Sequence, residues 1–570
     1  MRAENPLGWT GRPLKRVAVN LRRPIGSNAL HDEETALRDK LELDPAICWQ
    51  AIYSRDRRFD GRVFAGVLTT GVYCRPVCPV PLRKPVNVRW YPSAASAEAA
   101  GFRPCRRCRP HTSPGTPAWL GTSAVVSRAL KLISEGALDV DDVEALAERV
   151  GLGSRHVRRL FLQHLGASPV RIASTRRVHF ARNLLDQTDL PITKIASYSG
   201  FKSIRQFNHS MRTTFDMLPS ELRALRSGSK VTAGQGGITL YLTYRPPFDW
   251  HILVHFLKAH ATPGTEVIEE ECYRRSIEIN GQAGEIEVRH EPDESRLRVH
   301  VALPSYEQLM LVVERVRRIF DLGADPLQIT NHLAQDSRLG AMLQARPGQR
   351  VPGSWDTFEL AVRAVLGQQL TFMDSRAVIA RLVRTFGRPI KTSAPGLTHL
   401  FPRPEVLASA NLSSIVMPPA RAETLRGLAR ATCQGKLNPA ACKSLDDIIS
   451  RLCAIHGMGR RRANYIAMRA FAEPDAFPSS DLGLRRALSG SRRLPSEDEF
   501  RGLAESWRPW RAYAAICLWA EDADHSARGG GREFLRLERP KSRPIPTGSE
   551  EHQNAACVRE SDDPRGSRRM

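Results

Sequence analysis

No stretch of the chain is apolar over the ~20 residues that a membrane-crossing helix requires. The strongest run, AYAAICLWA at 512–520, is short and flanked by charge, so it reads as a buried helix. The first residues, MRAENPLGWTGRPLKRVAVNLRRP, have arginines but neither an apolar core nor a small-residue cleavage site, and do not read as an export signal. Acid is in deficit: 60 Asp and Glu against 84 Lys and Arg leave a formal charge of +24. Basicity of that size disfavours acidic partners and favours a polyanion, with nucleic acid first among candidates. Grouped cysteines are scarce as well. Of the 11 cysteines, Cys48, Cys272, Cys433, Cys442, Cys453, Cys517 and Cys557 stand singly, and in a reducing compartment they read as packed thiols rather than bridges. No solenoid repeat is visible. The expected location is the cytoplasm, with no membrane partner.

At 570 residues the chain is long enough for three or four domains. Residues 1–43 lack sustained periodicity and are expected to be flexible. A compact unit follows over 44–112, and HTSPGTPAWLGTS at 111–123 has the composition of a linker. From 124 to 226 the pattern is helical, with caps and turns at short intervals. A second linker, RSGSKVTAGQGG, spans 226–237. ITLYLTY, GEIEVRH and SRLRVHVAL then read as strands, and from about 305 the helical period returns and runs to 523. Residues 526–570 are polar and rich in Gly, Pro and charge, and are expected to be disordered. The fold class is therefore multidomain α+β.

The four grouped cysteines lie in GVYCRPVCP (71–79) and GFRPCRRCRP (101–110), with spacing C-x3-C-x26-C-x2-C. Two short pairs joined by a loop that folds back suit one tetrahedral Zn²⁺ held by Cys74, Cys78, Cys105 and Cys108. In so small a unit the metal supplies folding free energy that a thin core cannot. Spacing alone is equally compatible with a purely structural site. RVFAGVLTTGVYCRPVCPV followed by GFRPCRRCRP resembles the N-terminal domain of Ada-type alkylation-response proteins over about 60 residues. The resemblance implies repair of methyl phosphotriesters in DNA, with Cys74 accepting the methyl group. Zinc keeps such a thiol deprotonated yet able to attack a methyl carbon. Four thiolates on one Zn²⁺ carry a formal −2, and methylation of Cys74 leaves −1. Removing one unit of repulsion toward phosphate is worth roughly one to a few kcal/mol at intermediate dielectric, or tenfold and more in binding. Arg75, Arg103, Arg106, Arg107 and Arg109 would neutralise phosphates around the site, or be solvated surface charge.

VDDVEALAERVGLGSRHVRRLFLQHLGASP has an acidic helix, a turn at Gly151, a cap at Ser154 and a helix exposing Arg155, His156, Arg158 and Arg159. LPITKIASYSGFKSIRQFNHSMRTTFDMLPSELR repeats the plan, with a turn at Gly200, a cap at Ser203, and Arg205, Gln206 and Asn208 on its second helix. Arg, Gln and Asn match base edges in a major groove. This tandem resembles the AraC-type regulator domain over about 100 residues, here 124–226, and implies promoter binding with RNA polymerase as a further partner.

The Pro-Cys-His-Arg motif of an O6-methylguanine methyltransferase is absent. Instead, CAIHGMGRRRANYIAMRAF (453–471) places Gly457 and Gly459 in a tight turn between two helices, where backbone N–H groups approach a phosphate and Arg460 follows. Asp481 lies 22 residues beyond Gly459, and reads either as a helix N-cap or as a lone catalytic carboxylate. From LTYRPPFDW at 242 through FELAVRAVLGQQLTF to AESWRPWRAYAAICLWA, the chain resembles the inducible 3-methyladenine DNA glycosylase of the helix-hairpin-helix superfamily over nearly 290 residues. The resemblance implies an α+β N-terminal domain (236–345), an all-α helix-hairpin-helix domain (346–525) and a cleft between them. It places Asp481 on the catalytic aspartate, and Tyr465, Trp519 and Phe256 on pocket aromatics. It places Gln369 on the wedge that fills the gap left by the flipped base, with Leu370 able to take that role. Arg461 falls where bifunctional relatives carry a Schiff-base lysine and where a stacking tryptophan stands in the best-known member. A guanidinium stays protonated, so the expected activity is monofunctional.

An alkylated purine already carries positive charge, so its glycosidic bond is weak. A carboxylate near C1′ then stabilises the oxocarbenium-like transition state, and aromatic faces receive the flipped cation. The combined expectation is a damage sensor, a regulator and an alkylbase glycosylase in one chain. The alternatives are a front half that only recruits the glycosylase to damage, and a silent glycosylase fold acting as a platform.

Overall fold

The computed structural model describes residues 44–80, 84–114, 124–225, 236–367, 372–415, 417–489 and 493–528. The expectations for residues 1–43 and for the tail beyond 528, and most of both expected linkers, lie outside the described residues.

The first sheet is small, ordered β3-β1-β2-β4, with β1 Phe64–Val67, β2 Val72–Cys74, β3 Val88–Tyr91 and β4 Arg103–Pro104. β1 runs antiparallel to both β2 and β3, whereas β2 and β4 are parallel. This pairing sets Tyr73 opposite Pro104, which brings Cys74 and Cys105, each one residue further on, to the same end of the sheet. The apolar core is thin: Ile52, Ala65 and Val88 on one side, and Phe64, Tyr73 and Ala97 on the other. The four grouped cysteines form a third buried cluster of their own.

The helical region holds two helix-turn-helix units, Val143–Arg149 with Ser154–Leu165 and Ile192–Tyr198 with Ile204–Phe215, separated by the long helix Pro169–Gln187. The expected turns fall at Gly151 and Gly200, both at positive φ. Ser203 caps its helix by accepting from Gln206 N–H at 3.1 Å. Ser154 does not cap: the N-cap is Gly153 with no side-chain bond, so Ser154 is already the first helical residue.

The second sheet is antiparallel, ordered β5-β9-β8-β7-β6, with β5 Ile238–Thr243, β6 Glu266–Glu269, β7 Cys272–Ile279, β8 Gln282–Glu291 and β9 Arg296–Ala302. The alternation read in ITLYLTY is realised as Ile238, Leu240 and Leu242 facing inward, with Leu240 paired to Val299. This layer shares one continuous core with the second helix-turn-helix unit, through residues such as Phe207, Phe215, Leu240 and Val299. The remaining helices form the largest core, built around Leu360, Leu425, Ile449, Ala463 and Trp507. A buried ion cluster joins strand layer to helices: Arg275 meets Glu359 at 2.7 Å and Glu266 at 3.4 Å, and Arg363 meets Glu266 at 3.2 Å. Charges this deep persist only because each is paired. Among the described residues no helix is long and apolar enough to cross a membrane, and their elements are of the multidomain α+β class.

Candidate metal centre and carboxylate site

The sheet pairing explains why four cysteines from two distant segments meet. Cys74 ends β2, Cys78 follows in the next turn, and Cys105 and Cys108 lie just past β4. Their sulfurs all lie within 4.8 Å of one another and all four residues are buried. Tetrahedral coordination at ~2.3 Å would bring them to about 3.8 Å, so the set fits one Zn²⁺. Without a cation four sulfurs this close cannot all ionise: Cys105 is driven down by accepting from its neighbours, while the thiol of Cys74 is held up. Backbone N–H groups also act on three of them, from Val80 on Cys78, from Cys108 on Cys105 and from Arg75 on Cys108. The largest influences on Cys74 are the other three sulfurs and burial.

One expected phosphate ligand is corrected. Arg75 is buried, pairs with Asp60, and donates to Cys108 O at 3.2 Å and Thr112 Oγ1 at 2.6 Å. Its guanidinium braces the metal loops instead of facing solvent. Arg103, Arg106, Arg107 and Arg109 are exposed, although Arg103 meets Asp216 at 2.9 Å and Arg106 touches Met217 Sδ at 3.2 Å. A half-buried carboxylate ties this unit to the helical region. Glu98 accepts from Tyr73 Oη at 2.8 Å and Thr175 Oγ1 at 2.7 Å, and pairs with His179 at 2.8 Å. Burial opposes its ionisation, but His179 and the two hydroxyls more than offset that and hold its pKa low.

On the helix Ser154–Leu165, Arg155, His156, Arg158 and Arg159 are all exposed, with Arg158 meeting Glu144 at 3.2 Å. On Ile204–Phe215, Arg205 is exposed and Asn208 half-buried. The Gln206 amide oxygen is turned back to accept from Lys202 N–H at 3.2 Å.

The glycosylase-like end assembles differently. The helices Leu445–Cys453 and Arg460–Arg469 flank a turn in which Gly457 has φ +80° and Gly459 is the N-cap of the second helix; Arg460 is exposed. The second helix carries Arg461 and Tyr465 toward Asp481, and the helix Arg511–Arg528 brings Trp519. Asp481 is buried and takes the capping role that its sequence allowed. Its Oδ1 caps the following helix by accepting from Leu484 N–H at 3.2 Å, and also accepts from Trp519 Nε1 at 3.1 Å. Oδ2 is held by Arg461, through Nε at 2.9 Å and NH2 at 2.5 Å. Tyr465 and Trp519 meet edge to face, with centroids 6.1 Å apart. Phe256 joins through a residue that sequence reading missed. Arg469, fully buried, lies 4.8 Å from the Phe256 ring and 5.3 Å from the Tyr465 ring, and donates to Pro352 O and Gly353 O. The available signal was its position four residues after Tyr465, on the same helical face. Asp481, Arg461, Trp519, Tyr465 and Phe256 thus form one connected row; Gln369 and Leu370 lie outside the described residues.

Comparisons with known proteins place these features in a family. Residues 47–111 match the metal-binding domain of Ada, 146–225 a helix-turn-helix domain, and 239–356 the AlkA N-terminal domain. A protein of Mycobacterium tuberculosis (strain CDC 1551 / Oshkosh) named probable bifunctional transcriptional activator/DNA repair enzyme AlkA is 40% identical over 477 residues, 83% of this chain and 95% of its own. DNA-3-methyladenine glycosylase 2 of Escherichia coli K12 is 31% identical over 283 residues, 49% of this chain and 95% of its own. The bifunctional transcriptional activator/DNA repair enzyme Ada of the same organism is 31% identical over 175 residues, 31% of this chain and 48% of its own.

Proposed function

This chain belongs to the family of bifunctional transcriptional activator/DNA repair enzymes that join an Ada metal-binding domain and a helix-turn-helix region to an AlkA-type glycosylase, and from that premise we propose that it repairs alkylated DNA at two sites and reports the damage. The front site takes a methyl group from a methyl phosphotriester onto Cys74. The rear site removes alkylated purines such as 3-methyladenine by hydrolysis, leaving an abasic site.

Cys74, Cys78, Cys105 and Cys108 would hold one Zn²⁺, which would supply the charge that keeps four sulfurs deprotonated together. The choice of Cys74 is supported by the amide donors that act on the other three sulfurs, since such bonds damp nucleophilicity. Transfer breaks the methyl C–O bond, forms a C–S bond and returns the electron pair to the phosphate oxygen as a diester. The site then carries one negative charge fewer, which strengthens DNA binding. Through Tyr73 and Glu98 the unit is joined to the helix between the two helix-turn-helix motifs. Arg155, Arg158, Arg205, Gln206 and Asn208 are the side chains assigned here to DNA contact, a reading supported by the exposure of the three arginines and Gln206, and RNA polymerase is the partner that transcriptional activation requires. The action belongs on the cytoplasmic nucleoid.

At the rear site the observation that carries the reading is one buried carboxylate set against a row of aromatic rings. Asp481, oriented by Trp519 and Leu484 N–H, stabilises positive charge developing at C1′. Phe256, Tyr465 and Trp519 offer faces and edges to an extruded base. Gly457, Gly459 and Arg460 hold the backbone beside it. Arg461 provides no titratable amine, so no Schiff base forms and the strand is left intact.

Incubation with methylated duplex DNA, scoring freed bases and mapping the methylated cysteine in one sample, tests both sites. Wild type is expected to free 3-methyladenine and to carry methyl on Cys74. Asp481→Asn should lose excision by ~100-fold or more while Cys74 is still methylated. Methyl on another cysteine, or undiminished excision by Asp481→Asn, overturns the corresponding assignment. Promoter binding that does not rise after methylation would favour the recruiting-module reading.

A further inference from the structure

Arg461 does more than lack a lysine's chemistry. In the free protein its guanidinium sits on Asp481 Oδ2 through two N–H groups, at 2.9 and 2.5 Å, while Oδ1 is occupied by Trp519 Nε1 and Leu484 N–H. Both carboxylate oxygens are therefore engaged before any base arrives. The two partners differ in freedom, because the Arg461 side chain is 62% exposed and that of Asp481 is 9% exposed. The carboxylate is enclosed and the guanidinium is the partner open to solvent.

Its location is also electrostatically unusual. Arg461 stands in the first turn of its helix, where the helix dipole disfavours a cation. Arg460 and Arg462 flank it, and the pKa of Arg462 is pulled down by burial and then by Arg421 and Arg461. The mouth of the site is crowded with positive charge, and the Asp481 carboxylate is already paired with part of it.

We infer that Arg461 is a specificity-determining residue, which tilts the site away from bases that are cationic before cleavage and toward neutral damaged purines that depart as anions. The inference rests on the glycosylase reading above. In either reaction the C1′–N9 bond breaks with both electrons leaving on the purine. A water oxygen then bonds to C1′ and loses a proton. From a cationic alkylpurine the base leaves neutral and that proton passes to solvent. From a neutral purine the base leaves as an anion, and the proton ends on the base. A guanidinium displaced from Asp481 onto the departing ring stabilises only the second kind of leaving group, and it repels the charge of the first.

The test uses the full zinc-loaded chain and two duplexes, one with a single 7-methylguanine (cationic) and one with a single hypoxanthine (neutral), in single-turnover excision. Arg461→Gln is expected to raise the ratio of 7-methylguanine to hypoxanthine rates by at least ~10-fold, the factor given by about 1.4 kcal/mol of differential stabilisation. Equal loss on both duplexes in Arg461→Gln would mean a phosphate contact or a structural role, and overturns the inference. So does a wild type that frees 7-methylguanine alone, which leaves the glycosylase reading intact. A wild type that frees neither of these bases nor 3-methyladenine defeats both.

Discussion

Trp519 touches the carboxylate through a single atom, and that atom can be removed with little change of shape. Trp519→Phe keeps an aromatic face beside Tyr465 but deletes the N–H that reaches Asp481 Oδ1 at 3.1 Å. A hydrogen bond to a charged acceptor contributes about 1.5–3 kcal/mol, so excision is expected to fall roughly 10- to 100-fold. Orientation of the carboxylate is what is lost, so the fall should appear in the single-turnover rate while affinity for an undamaged duplex is unchanged. Equal rates would mean that Leu484 N–H and Arg461 suffice to hold Asp481. The cap at Asp481 was legible in the sequence because it depends on neighbours close in the chain, whereas its reactive role was carried by the family resemblance alone. The guanidinium of Arg461 on Oδ2 was not legible, since it depends on how two helices 20 residues apart approach. Nor was Arg469, whose charge reads as surface until Phe256 and Tyr465 are seen to enclose it.

The glycine pair of the hairpin separates folding from binding at the scale of one element. At Gly457, φ is +80° and a Cβ would fall 2.3 Å from Thr424 Oγ1. Gly457→Ala is therefore expected to destabilise the protein by about 1–3 kcal/mol and to lower its melting temperature. At Gly459 the backbone is extended, with φ −85° and ψ 161°, and a Cβ would meet nothing within 4 Å. Gly459→Ala should melt like wild type, yet bind duplex about tenfold more weakly whether or not a lesion is present, because the methyl group stands where a phosphate must come close. A Gly459→Ala variant with unchanged affinity would remove this turn from the DNA interface. Turn and spacing were readable here, as were Ser203 and both helix-turn-helix turns, because local chemistry dictates them. Ser154 misled because serine suits both an N-cap and a first helical position, and the bond that decides between them leaves no mark in the sequence.

Across the whole molecule, the metal unit and the helical region are joined by buried polar contacts, and one of these makes the junction sensitive to acid. His111 is buried, lies 3.0 Å from Asp186, and packs edge-on against Phe215 at 6.1 Å. Burial first, with Arg182 and His179 adding to it, pushes its pKa down to about 4 despite the opposing pull of Asp186. Asp186 remains ionised, its pKa held down against burial by His111 and by Arg182 at 2.9 Å, so the imidazole is neutral and donates from Nε2. An unfolded histidine titrates near 6.5. Between that pH and about 4 the unfolded chain binds more protons than the folded one, so stability is complete above 6.5 and drains away as pH falls. The loss should reach about 1 kcal/mol by pH 5.5. His111→Phe cannot take up the proton, so its melting temperature should fall less between pH 7.5 and 5.5 than that of wild type, both loaded with zinc. Parallel curves would show that the ring titrates alike in the folded and unfolded chain, and that the junction is held by Glu98 and the shared apolar core instead.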